Sequence, residues 1–129
     1  MVRRGMVNPL IQAGRWLGVT SLLTGQLHEV FQSEVNRYAR HLARINRQDG
    51  HAGFQLRFNR LNKLTDLYIA EVTAESWPDQ NDIDAAYEMF NAWKQSPGHW
   101  SVVDHECVFY GYAMARGRDT WYAVGIIGW

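Results

Sequence analysis

The sequence predicts an α+β domain built in layers. Three observations carry that reading. Residues 25–47 place apolar side chains at three- and four-residue steps, the mark of one long amphipathic helix. Two β-rich runs, 107–115 and 120–129, flank the short turn Arg116-Gly117-Arg118-Asp119 and read as an antiparallel hairpin. A third apolar run, 67–73, lies between helical stretches and supplies a further strand, so helices and strands share one core.

In chain order, Asn8-Pro9 starts a first helix, because Asn caps and Pro is favoured at the first helical position. Leu10, Ile11, Ala13, Trp16 and Leu17 give it an apolar face, and Gly18 is placed to stop it. Residues 19–23 read as a connecting turn. The long helix follows, with Leu27, Val30, Phe31, Val35, Tyr38, Leu42 and Ile45 on its stripe and Arg37, Arg40, Arg44 and Arg47 mostly off it. His28 and His41 fall inside this helix and read as solvated or packing residues. Gln48-Asp49-Gly50 ends it, and His51-Ala52-Gly53 forms a loop. Phe54, Leu56, Phe58 and Leu61 then alternate with polar residues or form an irregular turn.

Glu71 interrupts the next apolar run. A carboxylate there needs a partner or a pocket, because burying an unpaired charge is costly. Asp82 is the expected cap of a third helix over 83–95, with Ile83, Tyr87, Phe90 and Trp93 facing inward. Pro97 stops that helix, Gly98 permits a turn with positive φ, and His99 is thereby fixed just past the helix end. Residues 100–103 form one short helical turn.

The length, 129 residues, fits a single domain over 1–129 with a short N-terminal extension, 1–7. Thirteen basic and thirteen acidic side chains cancel, so no charge excess points to nucleic acid or an anionic membrane. Six Trp, six Tyr and five Phe are enough to fill a core. A single cysteine, Cys107, excludes an internal disulfide framework. The apolar residues near the start are too interrupted for a membrane span or a signal peptide. Zinc-finger spacings, a phosphate-binding glycine loop and a nucleophile elbow are all missing. Cys107 with His105 imitates a Cys–His pair, but Cys107 reads better as a packing residue.

An ordered set of segments carries a resemblance. It comprises Tyr38-Ala39-Arg40-His41-Leu42-Ala43, His51-Ala52-Gly53-Phe54, Ala70-Glu71-Val72, Trp93-x-x-Ser96-Pro97-Gly98-His99, Tyr110-Gly111-Tyr112-Ala113 and Thr120-Trp121-Tyr122-Ala123-Val124. Together they resemble the CAP superfamily of cysteine-rich secretory proteins, antigen 5 and pathogenesis-related proteins, in its disulfide-free bacterial or phage form. The resemblance implies an α-β-α sandwich around a central antiparallel sheet. It also implies a cleft in which His51 and His99 take the family's histidine positions and Glu71 that of its first acid. Ser96 stands where the second acid is expected, with Trp93 also lining the cleft, and Val72 replaces an expected Asn. Such a set suits Zn²⁺ or another divalent metal, or a general-base role for Glu71.

The expected function is a CAP-like binding module whose cleft takes a divalent metal, lipid or other small ligand. Alternatives are a structural component of a larger assembly such as a phage virion, made of protein partners or copies of this chain, and a metal-assisted hydrolase of peptide or cell-wall substrates. No signal peptide is visible, so the sequence leaves the location unknown: extracellular after loss of an export signal or by another route, inside the cell, or virion-associated for a phage protein.

Overall fold

The computed structural model describes residues 8–129; the expected extension 1–7 lies outside the described residues. Helix α1, Pro9–Trp16, forms as the sequence dictates: the Asn8 side chain accepts from the Ile11 amide at 2.9 Å, and Gly18 ends the turn with φ +73. The expected turn after it is instead a short helix, α2, Thr20–Thr24. Its first turn is held from far along the chain, since Asp104 accepts from both the Thr20 amide (3.0 Å) and its hydroxyl (2.6 Å). A cap supplied 84 residues away leaves no local sequence signal.

Strand β1, Gln26–Leu27, precedes the long helix α3, Glu29–Ile45. His28 caps α3 rather than lying within it: its Nδ1 accepts from the Val30 amide at 3.1 Å. Asn46, with φ +58, ends the helix. The next segment corrects the expectation of an irregular turn. Phe54–Thr65 is a third substantial helix, α4, with Leu61 fully buried and Leu56 63% exposed.

Strand β2, Ile69–Glu75, leads to α5, Asp82–Lys94. Its cap is Asn81, which accepts from the Asp84 amide at 2.8 Å, not Asp82. The buried stripe of α5 begins at Ala85 and continues through Ala86, Met89, Phe90 and Trp93, while Ile83 stays 56% exposed. Helix α6, Pro97–Val103, starts at the proline itself, which is favoured in a first turn. Gly98 therefore does not have positive φ, and His99 is the third residue of a helix rather than a residue past one. Strands β3, Phe109–Arg116, and β4, Trp121–Gly128, form the expected hairpin.

The sheet order is β1-β3-β4-β2. Its three long strands are antiparallel, and the two-residue β1 adds a parallel rim, so the sheet is mixed. Alternation along the strands sends Val72, Ala74, Tyr110, Tyr112, Ala123 and Ile127 to one face, against α1, α2, α5 and α6. Ile69, Ala113, Tyr122, Val124 and Ile126 go to the other, against α3 and α4. Helices thus cover both faces.

Two contacts fix the layers. A Cβ on Gly111 of β3 would lie 2.6–2.7 Å from backbone atoms of Phe31 and Gln32, so α3 rests on the strand where only glycine fits. On the opposite face Trp93 is 1% exposed, and its Nε1 donates to the Thr73 carbonyl of β2 at 2.9 Å.

Candidate functional site

Glu71 sits mid-strand on the α3/α4 face of β2, and its side chain is 1% exposed. The partner that burial demands is Arg57, in the first turn of α4. Arg57 Nε donates to Glu71 Oε2 at 2.6 Å and Nη2 to Oε1 at 2.8 Å, a planar fork-on-fork pair. The guanidinium also donates to the Ala52 carbonyl (2.8 Å) and lies 3.7 Å over the Tyr38 ring. A residue 8% exposed at the side chain thus has its charge answered, most of its donors used and its face covered.

His51 completes the group. It lies in the loop between α3 and α4 with φ +64, an uncommon backbone for a side chain with a Cβ. Its Nδ1 is 2.9 Å from Glu71 Oε1. A carboxylate gripped by Arg57 accepts, so Nδ1 donates, and in the neutral ring Nε2 keeps its lone pair. The ring is 37% exposed and stands at a cavity of about 370 Å³ whose other walls are Phe54, Tyr68, Ile69, Ala70 and Glu71 itself. The loop itself is pinned by Asp49, which accepts from the Ala52 amide at 3.2 Å and from the Tyr38 hydroxyl. Burial first, then the hydrogen bond to Asp49 and its charge, push the Tyr38 phenol well above its usual range, so it stays a donor.

The structure therefore joins two of the three expected site residues, His51 and Glu71, directly. His99 belongs to α6, a helix of the opposite layer that also borders β2, and its Nδ1 pairs with Ser96 Oγ at 2.8 Å. Trp93 is a core residue that supports β2 from that same layer. With three of its roughly four acceptor positions filled, Glu71 would have to part from Arg57 to ligate a cation fully. Among the described residues no three His, Cys, Asp or Glu side chains are grouped to hold a metal ion. Of the two His51 ring nitrogens, Nε2 is the one not engaged with Glu71.

Arg57 and a second ion pair are absent from the sequence reading. Glu34, 3% exposed on α3, is gripped by Arg60 of α4 through Nε (2.6 Å) and Nη2 (2.7 Å). A signal for it existed: Glu34 lies three residues after Phe31 and four before Tyr38, on the apolar stripe. The reasoning that singled out Glu71 applies to it equally.

No family model matches the chain, and no curated protein matches it.

Proposed function

We propose that the chain is a CAP-like binding module whose ligand seats against His51 in the cavity beside β2. One observation carries the reading: the contact of His51 Nδ1 with a Glu71 carboxylate already held by Arg57. A carboxylate so committed orients the imidazole instead of taking protons or binding substrate, as carboxylates do behind many ligand-binding histidines. In the neutral ring Nε2 is then an oriented acceptor beside a cavity whose walls are aromatic and aliphatic apart from Glu71, which suits a small, largely apolar ligand carrying one hydrogen-bond donor. The helix-covered sheet and the pairing of residues 51 and 71 support the CAP likeness drawn from the sequence.

Titration of phenol, octanol and zinc chloride into the 15N-labelled protein and its His51→Ala variant tests this. Shifts at His51, Phe54 and Tyr68 with phenol or octanol, lost in the variant, are expected. Zinc shifts that require both His51 and His99 would show the two imidazoles meeting on an ion. No response at this cavity to any of the three overturns the reading.

A second reading, a component of a larger assembly such as a phage particle, draws on Trp16 and Trp77, which are 68% and 65% exposed. Indoles this exposed suit a surface that a partner chain covers. Self-association that Trp16→Ser and Trp77→Ser abolish would favour it.

A further inference from the structure

A second hollow, of about 250 Å³, lies between α3 and α4 and has Arg57 in its lining. Residues four and three apart on α3 supply one wall, Arg37, His41 and Arg44, and residues three apart on α4 supply the other, Arg57 and Arg60. Glu34 is the one acidic side chain in the lining. Behind the wall, Glu71 answers Arg57, while Asp49 accepts from Tyr38 and lies 3.6 Å from His41.

Besides Arg57, three guanidinium groups, those of Arg37, Arg44 and Arg60, share the lining with that one carboxylate. Arg60 spends Nε and one Nη2 hydrogen on Glu34 and keeps Nη1. Arg37 approaches Glu34 only to 3.8 Å, beyond hydrogen-bonding distance, and Arg44 has no ion pair among the described residues. All three therefore keep donors available, on a chain whose total charge is balanced. Local concentration of positive charge at a concave place, lined by forked donors and with one wall already rigid, is the arrangement that captures oxyanions.

We propose that this hollow binds a phosphoryl group, carried either by a small soluble molecule or by a lipid headgroup. A tetrahedral oxyanion can accept from guanidinium groups on two helices at once, which a planar carboxylate does less well. The hollow holds such a group with several waters, each needing roughly 30 Å³. The site is independent of the His51 cavity: its free donors come from Arg37, Arg44 and Arg60, none of which touches His51.

The test uses the full chain. Pyrophosphate is titrated while the Nε–H signals of Arg37, Arg44 and Arg60 are followed. In parallel, the protein is sedimented with phosphatidylcholine vesicles with and without phosphatidic acid. The double variant Arg37→Gln, Arg44→Gln changes two exposed residues and should melt as the wild type does, and Arg47→Gln, exposed just past the end of α3 and outside the lining, controls for charge alone. Saturable pyrophosphate binding that weakens roughly tenfold per arginine removed is expected, with little change in Arg47→Gln. Binding only to phosphatidic acid vesicles, lost in the double variant, also supports the site and assigns the phosphoryl group to a lipid. Equal binding by the double variant, an equal loss in Arg47→Gln, or no wild-type binding in either arm overturns the proposal.

Discussion

The two faces of the sheet are built on different principles. The face under α1, α2, α5 and α6 is filled by aromatic and aliphatic volume: Phe90 stands edge-on to Trp93 with ring centroids 5.2 Å apart, and Tyr112 packs against both. Its buried hydroxyls satisfy each other, Ser21 and Tyr112 at 2.8 Å. The face under α3 and α4 also has an apolar centre but is rimmed by two buried carboxylates, each gripped by an arginine of α4. Volume filling is tolerant of detail, whereas buried ion pairs hold only in one geometry. The first face supplies stability. The second fixes where α4 lies, and with it the loop that aims His51.

The comparison can be broken most severely on the apolar side. Trp93→Ala should cost about 3–5 kcal/mol, the range for truncating a buried large aromatic, and it also strips the Thr73 carbonyl of its donor. Chemical denaturation measures it, and an unchanged midpoint would remove Trp93 from the core.

On the polar side, Glu71→Gln leaves the Arg57 guanidinium buried against a neutral amide and should cost about 3 kcal/mol. The sharper result comes from replacing the pair. Arg57→Met with Glu71→Leu should recover most of that stability, because well-packed apolar groups substitute for a buried ion pair. It should not recover ligand shifts at His51, whose ring loses its orienting partner. Recovery of both would show the pair to be packing alone.

A smaller effect follows from Glu34. Burial alone would raise its carboxyl, but Arg60, Arg37 and Arg57 together hold it below its ordinary 4.5. A group lowered on folding stabilises the native state fully above its unfolded value and loses that contribution as pH falls through the lowered one. Stability should therefore hold near neutrality and decline in acid below about pH 4.5, and Glu34→Gln should flatten that part of the profile. Urea midpoints across pH 7 to 3 check it.

Smallest of all is the response of Cys107. Burial pushes its thiol up to about 11, and Sγ donates to the Ser21 carbonyl at 3.2 Å. At neutral pH it should alkylate far more slowly than an exposed cysteine, with no loss of folding in Cys107→Ala beyond a small cavity cost.

The apolar face was the more legible in sequence. Stripes in α5 and alternation in β3 and β4 reveal a residue's partner class without naming the partner, and Trp93 was identified as a core anchor that way. α4 was misread because Phe54, Leu56 and Phe58 alternate over a short stretch. The helical spacing Phe54, Phe58, Leu61 was present as well, and burial of Leu61 beside exposed Leu56 shows which period governs. On the polar face Glu71 was found by its misplacement in an apolar run. Arg57 was not, since an arginine on a polar helix face looks the same whether it meets water or a carboxylate from another element. Whether His51 would meet Glu71 depended on α4 docking, which no local spacing encodes.

The hydrogen bond from Trp93 to Thr73 bears on how these molecules behave in a crowd. β2 is paired on one side only. Bonded pairs with β4 and its flanks run from Tyr68 with Trp129 to Ser76 with Trp121, and in that alternation Thr73 turns its amide and carbonyl outward. An outward-facing row of this kind is a template on which a strand from a neighbouring molecule can add. The indole occupies the acceptor at the middle of the row, and Gln48 takes the Thr73 hydroxyl beside it at 2.8 Å. The tryptophan that fills one core thus also stoppers the open side of the sheet against strand-by-strand self-assembly.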